Sequence, residues 1–193
     1  MSTPLKPLPY PSPLAGAPPP GPGTRIGHVH LRVADLERAL QFYCGILGFE
    51  LKQRSSDGRA AFIAVGDYHH HIGLNTWGSL GGPPPPPGTT GLFHTAIAYP
   101  TRAELAHAYR RLIAAGVELD GASDHGVSEA LYLRDFDENG VELCWDKPRA
   151  DWPANPDGTL AMFTRRLDLA GLLAEAPEGA AGLAPPVPRN WRK

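Results

Sequence analysis

Three residues of this chain, His28, His94 and Glu142, have the donor types to hold one divalent metal ion. Imidazole is the commonest metal ligand among side chains, and the 193 residues include eight histidines. Strand periodicity sorts them. IGHVHLRV (26–33) alternates, with Val29, Leu31 and Val33 on one face and His28, His30 and Arg32 on the other. LFHTAIAY (92–99) sets His94, Ala96 and Ala98 opposite Thr95, Ile97 and Tyr99. In VELCWD (141–146), Val141, Leu143 and Trp145 share a core face, leaving Glu142, Cys144 and Asp146 opposite. If each aliphatic face packs on its own helix, the other face points into the space between two modules. Two imidazoles and a carboxylate on one face of an octahedron leave three positions open to oxygen donors. Alternation through HHHIGLN puts His70, Ile72 and Leu74 on the aliphatic face. His71, Gly73 and Asn75 then face the cavity, and His71 and Asn75 become candidate substrate-binding residues.

The elements that position these groups occur twice in the same order. After the first strand, Asp35 caps a helix whose apolar positions Leu36, Ala39, Leu40, Tyr43 and Leu47 have helical spacing, and Gly48 stops it. FELKQRS, AAFIAVG and HHHIGLNTW follow as strands. In the second half Thr101 and Glu104 form a capping box for TRAELAHAYRRLIAAG, which ends at Gly116. VELDG, SEALYLRDF and VELCWD are its strands. The fold class is therefore α+β, built from two βαβββ modules at 25–78 and 92–147. Residues 1–24 read as a disordered, Pro-rich arm. Residues 79–91, with five consecutive prolines, read as a stiff linker. Residues 148–193 read as a tail in which RRLDLAGLLAEA forms a short amphipathic helix.

Composition narrows the possible partners. A formal net charge of −2 and the lack of a basic patch argue against nucleic acid. No apolar run reaches the roughly 18 residues of a membrane span. The N-terminus has no secretory pattern, so a cytoplasmic location is expected. Cys44 and Cys144 are too few for a disulfide framework and read as buried free thiols.

IGHVHLRVADLERALQFYCGILGFE resembles the opening of the vicinal-oxygen-chelate superfamily, which includes glyoxalase I, antibiotic-resistance proteins and extradiol ring-cleavage dioxygenases. The resemblance covers about 25–147 and implies one domain with a half-open, barrel-like sheet around a metal site. It favours His28 over His30 as the first ligand. DHGVSEALYLRDFDENGVELCWDKP is similar to the extradiol motif, in which His125, Leu131, Tyr132, Asp135 and Glu142 match. Phe136 and Glu138 depart from it, standing where Pro and Gly are usual. HHHIGLNTW is similar to a segment of the single-domain catechol dioxygenase branch.

The resemblance implies a catechol-like aromatic diol and O2 as substrates. It implies Fe(II), or Mn(II), on His28, His94 and Glu142. An acid/base must deprotonate the diol and later return a proton, and an imidazole suits that work. His125 is the candidate, and Tyr132 could donate a hydrogen bond to a substrate oxygen. The alternatives are a glyoxalase-like isomerase or thiol transferase, which would favour Zn or Ni, and a resistance-type protein that binds a small molecule without turnover. Glyoxalase-like enzymes often carry a second carboxylate ligand, but His30 and Arg32 are the inward neighbours of His28. A homo-oligomer is expected.

Overall fold

A computed structural model describes residues 5–6, 18 and 20–176. Most of the expected N-terminal arm and the last 17 residues of the tail lie outside the described residues. The first module contains β1 (Val29–Arg32), α1 (Leu36–Leu40), β2 (Glu50–Arg54), β3 (Ala60–Ala64) and β4 (Ile72–Asn75). The second contains β5 (Thr95–Ala98), α2 (Arg102–Ala115), β6 (Gly121–Asp124), β7 (Ser128–Arg134) and β8 (Gly140–Asp146). Each module has the same topology. Its first strand runs parallel to its last, and the remaining pairs are antiparallel. The orders are β1-β4-β3-β2 and β5-β8-β7-β6-β9, where β9 is Arg165–Arg166, so there are two sheets and no closed barrel among the described residues.

The helix signals act as their chemistry requires. Asp35 accepts from the Arg38 amide at 3.0 Å and starts α1. Beyond Leu40 the helix widens into a π-helical segment, Gln41–Ile46, which buries Phe42, Tyr43 and Ile46. Thr101 and Glu104 form the reciprocal capping box of α2, and Gly116 closes it in the left-handed conformation (φ 68°). None of the helices of the described residues is long and apolar enough to cross a membrane.

The tail departs from the sequence expectation. Arg165 and Arg166 extend as β9 alongside β6 instead of joining the helix. Only α3 (Leu169–Ala174) is helical, and its Leu172 is buried against α2. The strand expected at VELDG also lies later, at Gly121–Asp124. The prolines of the 79–91 stretch are exposed, and its start is fastened to the residues just after β1: Ser79 Oγ donates to the Val33 carbonyl at 3.0 Å and the Gly81 amide to the Ala34 carbonyl at 2.8 Å.

The modules meet through the first helix and the β7–β8 turn. Arg111 of α2 donates to the Ile46 and Leu47 carbonyls at 2.9 and 3.1 Å, satisfying acceptors that the end of the first helix leaves open. Phe136 packs edge-on against Phe42, with ring centroids 5.2 Å apart. This gives the bulky residue at that turn an apolar partner. Buried Asp135 accepts from Tyr43 Oη at 3.0 Å and from the Asp137 amide, the Asn139 amide and Asn139 Nδ2, each at 2.9 Å. Burial pushes the Asp135 carboxyl up, against the pull of these donors. Asp135→Ala would leave four donors without an acceptor and is expected to cost about 3 kcal/mol or more. Urea denaturation measures it, and a loss under about 1 kcal/mol would mean that this pin between modules is dispensable.

Glu138 is the one non-glycine residue with positive φ among the described residues (φ 64°). The turn keeps its shape, with the Asp135 amide bonded to the Asn139 carbonyl, at the cost of strain that a glycine avoids. Glu138→Gly is therefore expected to raise stability by about 1 kcal/mol, read as a higher Tm. An unchanged or lower Tm would show the turn to be unstrained.

Candidate functional site

The second sheet gathers four of the expected residues on the face away from α2. Tyr132 and Glu142 are direct cross-strand partners in β7 and β8, and His94 enters from the residue before β5. His94 Nε2 lies 2.8 Å from Glu142 Oε2. Tyr132 Oη lies 3.4 Å from the other carboxylate oxygen. His125, in the β6–β7 turn, brings Nε2 to 2.7 Å from Tyr132 Oη. The result is a continuous row, His125–Tyr132–Glu142–His94. Burial, and then the Glu142 charge, push the Tyr132 phenol up to about 12, so it stays protonated and remains a donor at neutral pH. The same two causes, with Asp146, push the Cys144 thiol up to about 12, so it offers no thiolate nucleophile.

Two donors of this row fit a metal. Ligands at about 2.1 Å and a right angle on one ion lie about 3 Å apart, close to the His94–Glu142 separation. His94 Nδ1 is buried with no hydrogen-bond partner, so the ring lacks the outer acceptor that usually orients a ligating imidazole.

The first module does not bring His28 to that pair. Among the described residues no three His, Cys, Asp or Glu side chains are gathered to hold a metal ion. His28 instead stands beside His70, with ring centroids 4.4 Å apart, and His70 in turn meets Phe62 edge-on at 5.1 Å. The sequence reading set His70 on the aliphatic face. Strand β4 begins only at Ile72, so alternation does not reach His70 and its ring turns toward His28. His30 lies against Gly73, where a side chain would meet its ring, and Trp77 stands 5.9 Å away. Burial, then the neighbouring His28, lower the pKa of both His30 and His70.

His71 and Asn75 are also placed. The His71 ring packs on Tyr68 at 4.7 Å, and its Nδ1 accepts from the Val65 amide at 3.3 Å. With His28 it lines a cleft of about 790 Å³ between the modules, bounded also by Ile97, Tyr99 and Arg111. That cleft does not include His94 or Glu142, so it is separate from the row His125–Tyr132–Glu142–His94. Asn75 is buried and uses Oδ1 to accept from the Trp77 amide at 3.0 Å, a local turn contact.

Comparison with known proteins meets this geometry. Residues 25–144 match the family model described as the Glyoxalase/Bleomycin resistance protein/Dioxygenase superfamily. The chain belongs to that superfamily. It is 38% identical over 160 residues to the catechol-2,3-dioxygenase of Bacillus subtilis (strain 168), an alignment covering 79% of this chain and 52% of that protein. It is 35% identical over 121 residues to biphenyl-2,3-diol 1,2-dioxygenase 3 of Rhodococcus globerulus, covering 62% of each. The chain thus spans about half to three-fifths of the length of these relatives. In fold it is similar to a glyoxalase/dioxygenase from Nostoc punctiforme (TM-score 0.55, 19% identity, 70% of this chain and 99% of that one). A glyoxylase/bleomycin resistance protein/dioxygenase domain from Frankia sp. EAN1pec gives a TM-score of 0.55 at 22% identity, covering 64% and 98%.

Sequence reasoning missed His70 and the contacts that the tail makes with His125. The first was hidden by the assumption that a strand continued through HHH. The second had a faint signal in the extended, basic TRR stretch at 164–166.

Proposed function

We propose that the chain is an extradiol ring-cleavage dioxygenase acting on a catechol-like diol with O2. The observation that carries this reading is the row His125–Tyr132–Glu142–His94, which puts an acid/base and a hydrogen-bond donor beside two metal-type ligands. The named activities of the Bacillus and Rhodococcus relatives support it. His94 and Glu142 would hold the metal; His28 is proposed as the third ligand on the sequence resemblance, although the fold does not bring it to that pair. Fe(II) is the proposed ion and Mn(II) an acceptable substitute, because this ligand set leaves positions at which adjacent diol oxygens and dioxygen can meet.

The protein's own groups manage the protons. His125 Nε2 is placed to take a proton from a diol hydroxyl and return it when the ring opens. Tyr132 keeps its proton and has one hydrogen to give: to His125 Nε2 at 2.7 Å here, or to a substrate oxygen once the hydroxyl turns, which frees Nε2. His71, which lines the cleft, is proposed to contact substrate from the first module, whereas Asn75 is buried and engaged in its turn. Both atoms of O2 enter the product, so no external reductant is consumed.

The test is oxygen uptake by Fe(II)-reconstituted protein given catechol or biphenyl-2,3-diol. One O2 per diol, with a yellow ring-opened product, is expected. Metal uptake with no oxygen consumption on either diol would reject the reading in favour of an isomerase or transferase.

A further inference from the structure

The region after residue 147 contacts the row at its far end. The Phe163 carbonyl lies 3.1 Å from His125 Nδ1, and Thr164 Oγ1 lies 3.2 Å from the same nitrogen. The contact is two-point, because the Phe163 amide also donates to the His125 carbonyl at 3.2 Å. Gly126 permits the approach. It adopts φ 79°, and a Cβ there would lie 2.6 Å from the Phe163 ring and 2.9 Å from Pro153.

Phe163 is held on both sides. Behind it the Ala161 amide bonds to the Pro153 carbonyl at 3.0 Å, and Trp152 Nε1 to the Lys147 carbonyl at 2.8 Å. Ahead of it β9 pairs with β6 in the register Ser123↔Arg166 and Asp124↔Arg165. Leu167 and Leu172 are buried in the core. The Arg165 guanidinium sits 4.2 Å from the Phe163 ring centroid. Apart from Ser123 and Asp124 of β6, these residues lie beyond the stretch that matches the family model, which ends at 144.

We infer that this segment is a positioning device that fixes the tautomer of His125, with the Phe163 carbonyl as the selecting group. A carbonyl oxygen only accepts, so the ring nitrogen bonded to it must carry the hydrogen. Nδ1 is then protonated in the neutral ring, and the lone pair is on Nε2, facing Tyr132. Tyr132 has one hydrogen and gives it to that lone pair at 2.7 Å rather than to Glu142 Oε1 at 3.4 Å. The opposite tautomer would set a lone pair against the Phe163 carbonyl and leave Nε2 unable to accept a proton. Thr164 Oγ1 shares the Nδ1–H as a second, weaker acceptor. The catalytic consequence rests on the role proposed for His125, whereas the tautomer does not.

The test is ¹⁵N NMR of the His125 imidazole in metal-free, full-length protein, with turnover measured separately after metal loading. Wild type is expected to show protonated Nδ1 and bare Nε2 while neutral. Thr164→Val, at an exposed position, is expected to keep that tautomer because the carbonyl remains. Gly126→Ala and Phe163→Ala displace the carbonyl and are expected to shift the ring toward the Nε2–H form. In both, kcat should fall roughly 10-fold or more with metal content and KM little changed. An Nε2–H ring in wild type, or a tautomer unmoved in the folded Gly126 and Phe163 variants, would overturn the inference. So would a switch in Thr164→Val alone, since the hydroxyl would then be the selector. A tautomer that shifts while kcat holds would leave the positioning intact and instead reject His125 as the acid/base.

Discussion

Glu142→Ala is expected to lose bound metal and reduce diol cleavage to background. Glu142 is the central member of the row, its side chain 13% exposed, with one oxygen 2.8 Å from His94 Nε2 and the other facing Tyr132. In its proposed role, its removal would delete a ligand and the charge that compensates a cation in a half-buried site. Loss of outer contacts alone costs metal sites about 10- to 100-fold in affinity, so loss of a ligand should exceed that. His94→Ala should behave alike, because its Nε2 is the atom that meets this carboxylate. Metal analysis after dialysis checks both, and circular dichroism separates ligand loss from misfolding. Full metal content in either variant would place the metal elsewhere.

The second large effect belongs to His125. His125→Ala is expected to leave metal content unchanged and to reduce kcat by about 10²- to 10⁴-fold, the usual contribution of a positioned acid/base. The separation follows from the geometry: His125 touches Tyr132, Phe163 and Thr164, but neither His94 nor Glu142. Stopped-flow single turnovers check it, since slow product release would mask a loss in steady state. Loss of metal together with activity would make His125 a ligand and reassign the site.

Much of this was legible in the sequence because short-range rules govern it. Asp35, Thr101 with Glu104, and Gly116 mark helix ends through contacts within a few residues. Strand alternation set Tyr132 and Glu142 on one face because β7 and β8 pair in regular register. What was not legible depends on pairing across long separations or on irregular backbone. Strand β9 is two residues long and exists through its partner β6, so no periodicity announces it. His70 lies in a bend before β4, where alternation carries no information. The placement of His28 relative to His94 depends on how two modules meet. That contact is made by Tyr43 with Asp135, Arg38 with Asp137 and Arg111 with the first helix, and no local pattern encodes it.

The most direct measurement is the metal content of anaerobically purified protein, followed at once by a catechol-cleavage assay on the same sample. About one Fe or Mn per chain with a yellow ring-opened product is expected from a two-histidine, one-carboxylate site. Zn or Ni without catechol turnover, or no metal at all, would contradict the dioxygenase assignment.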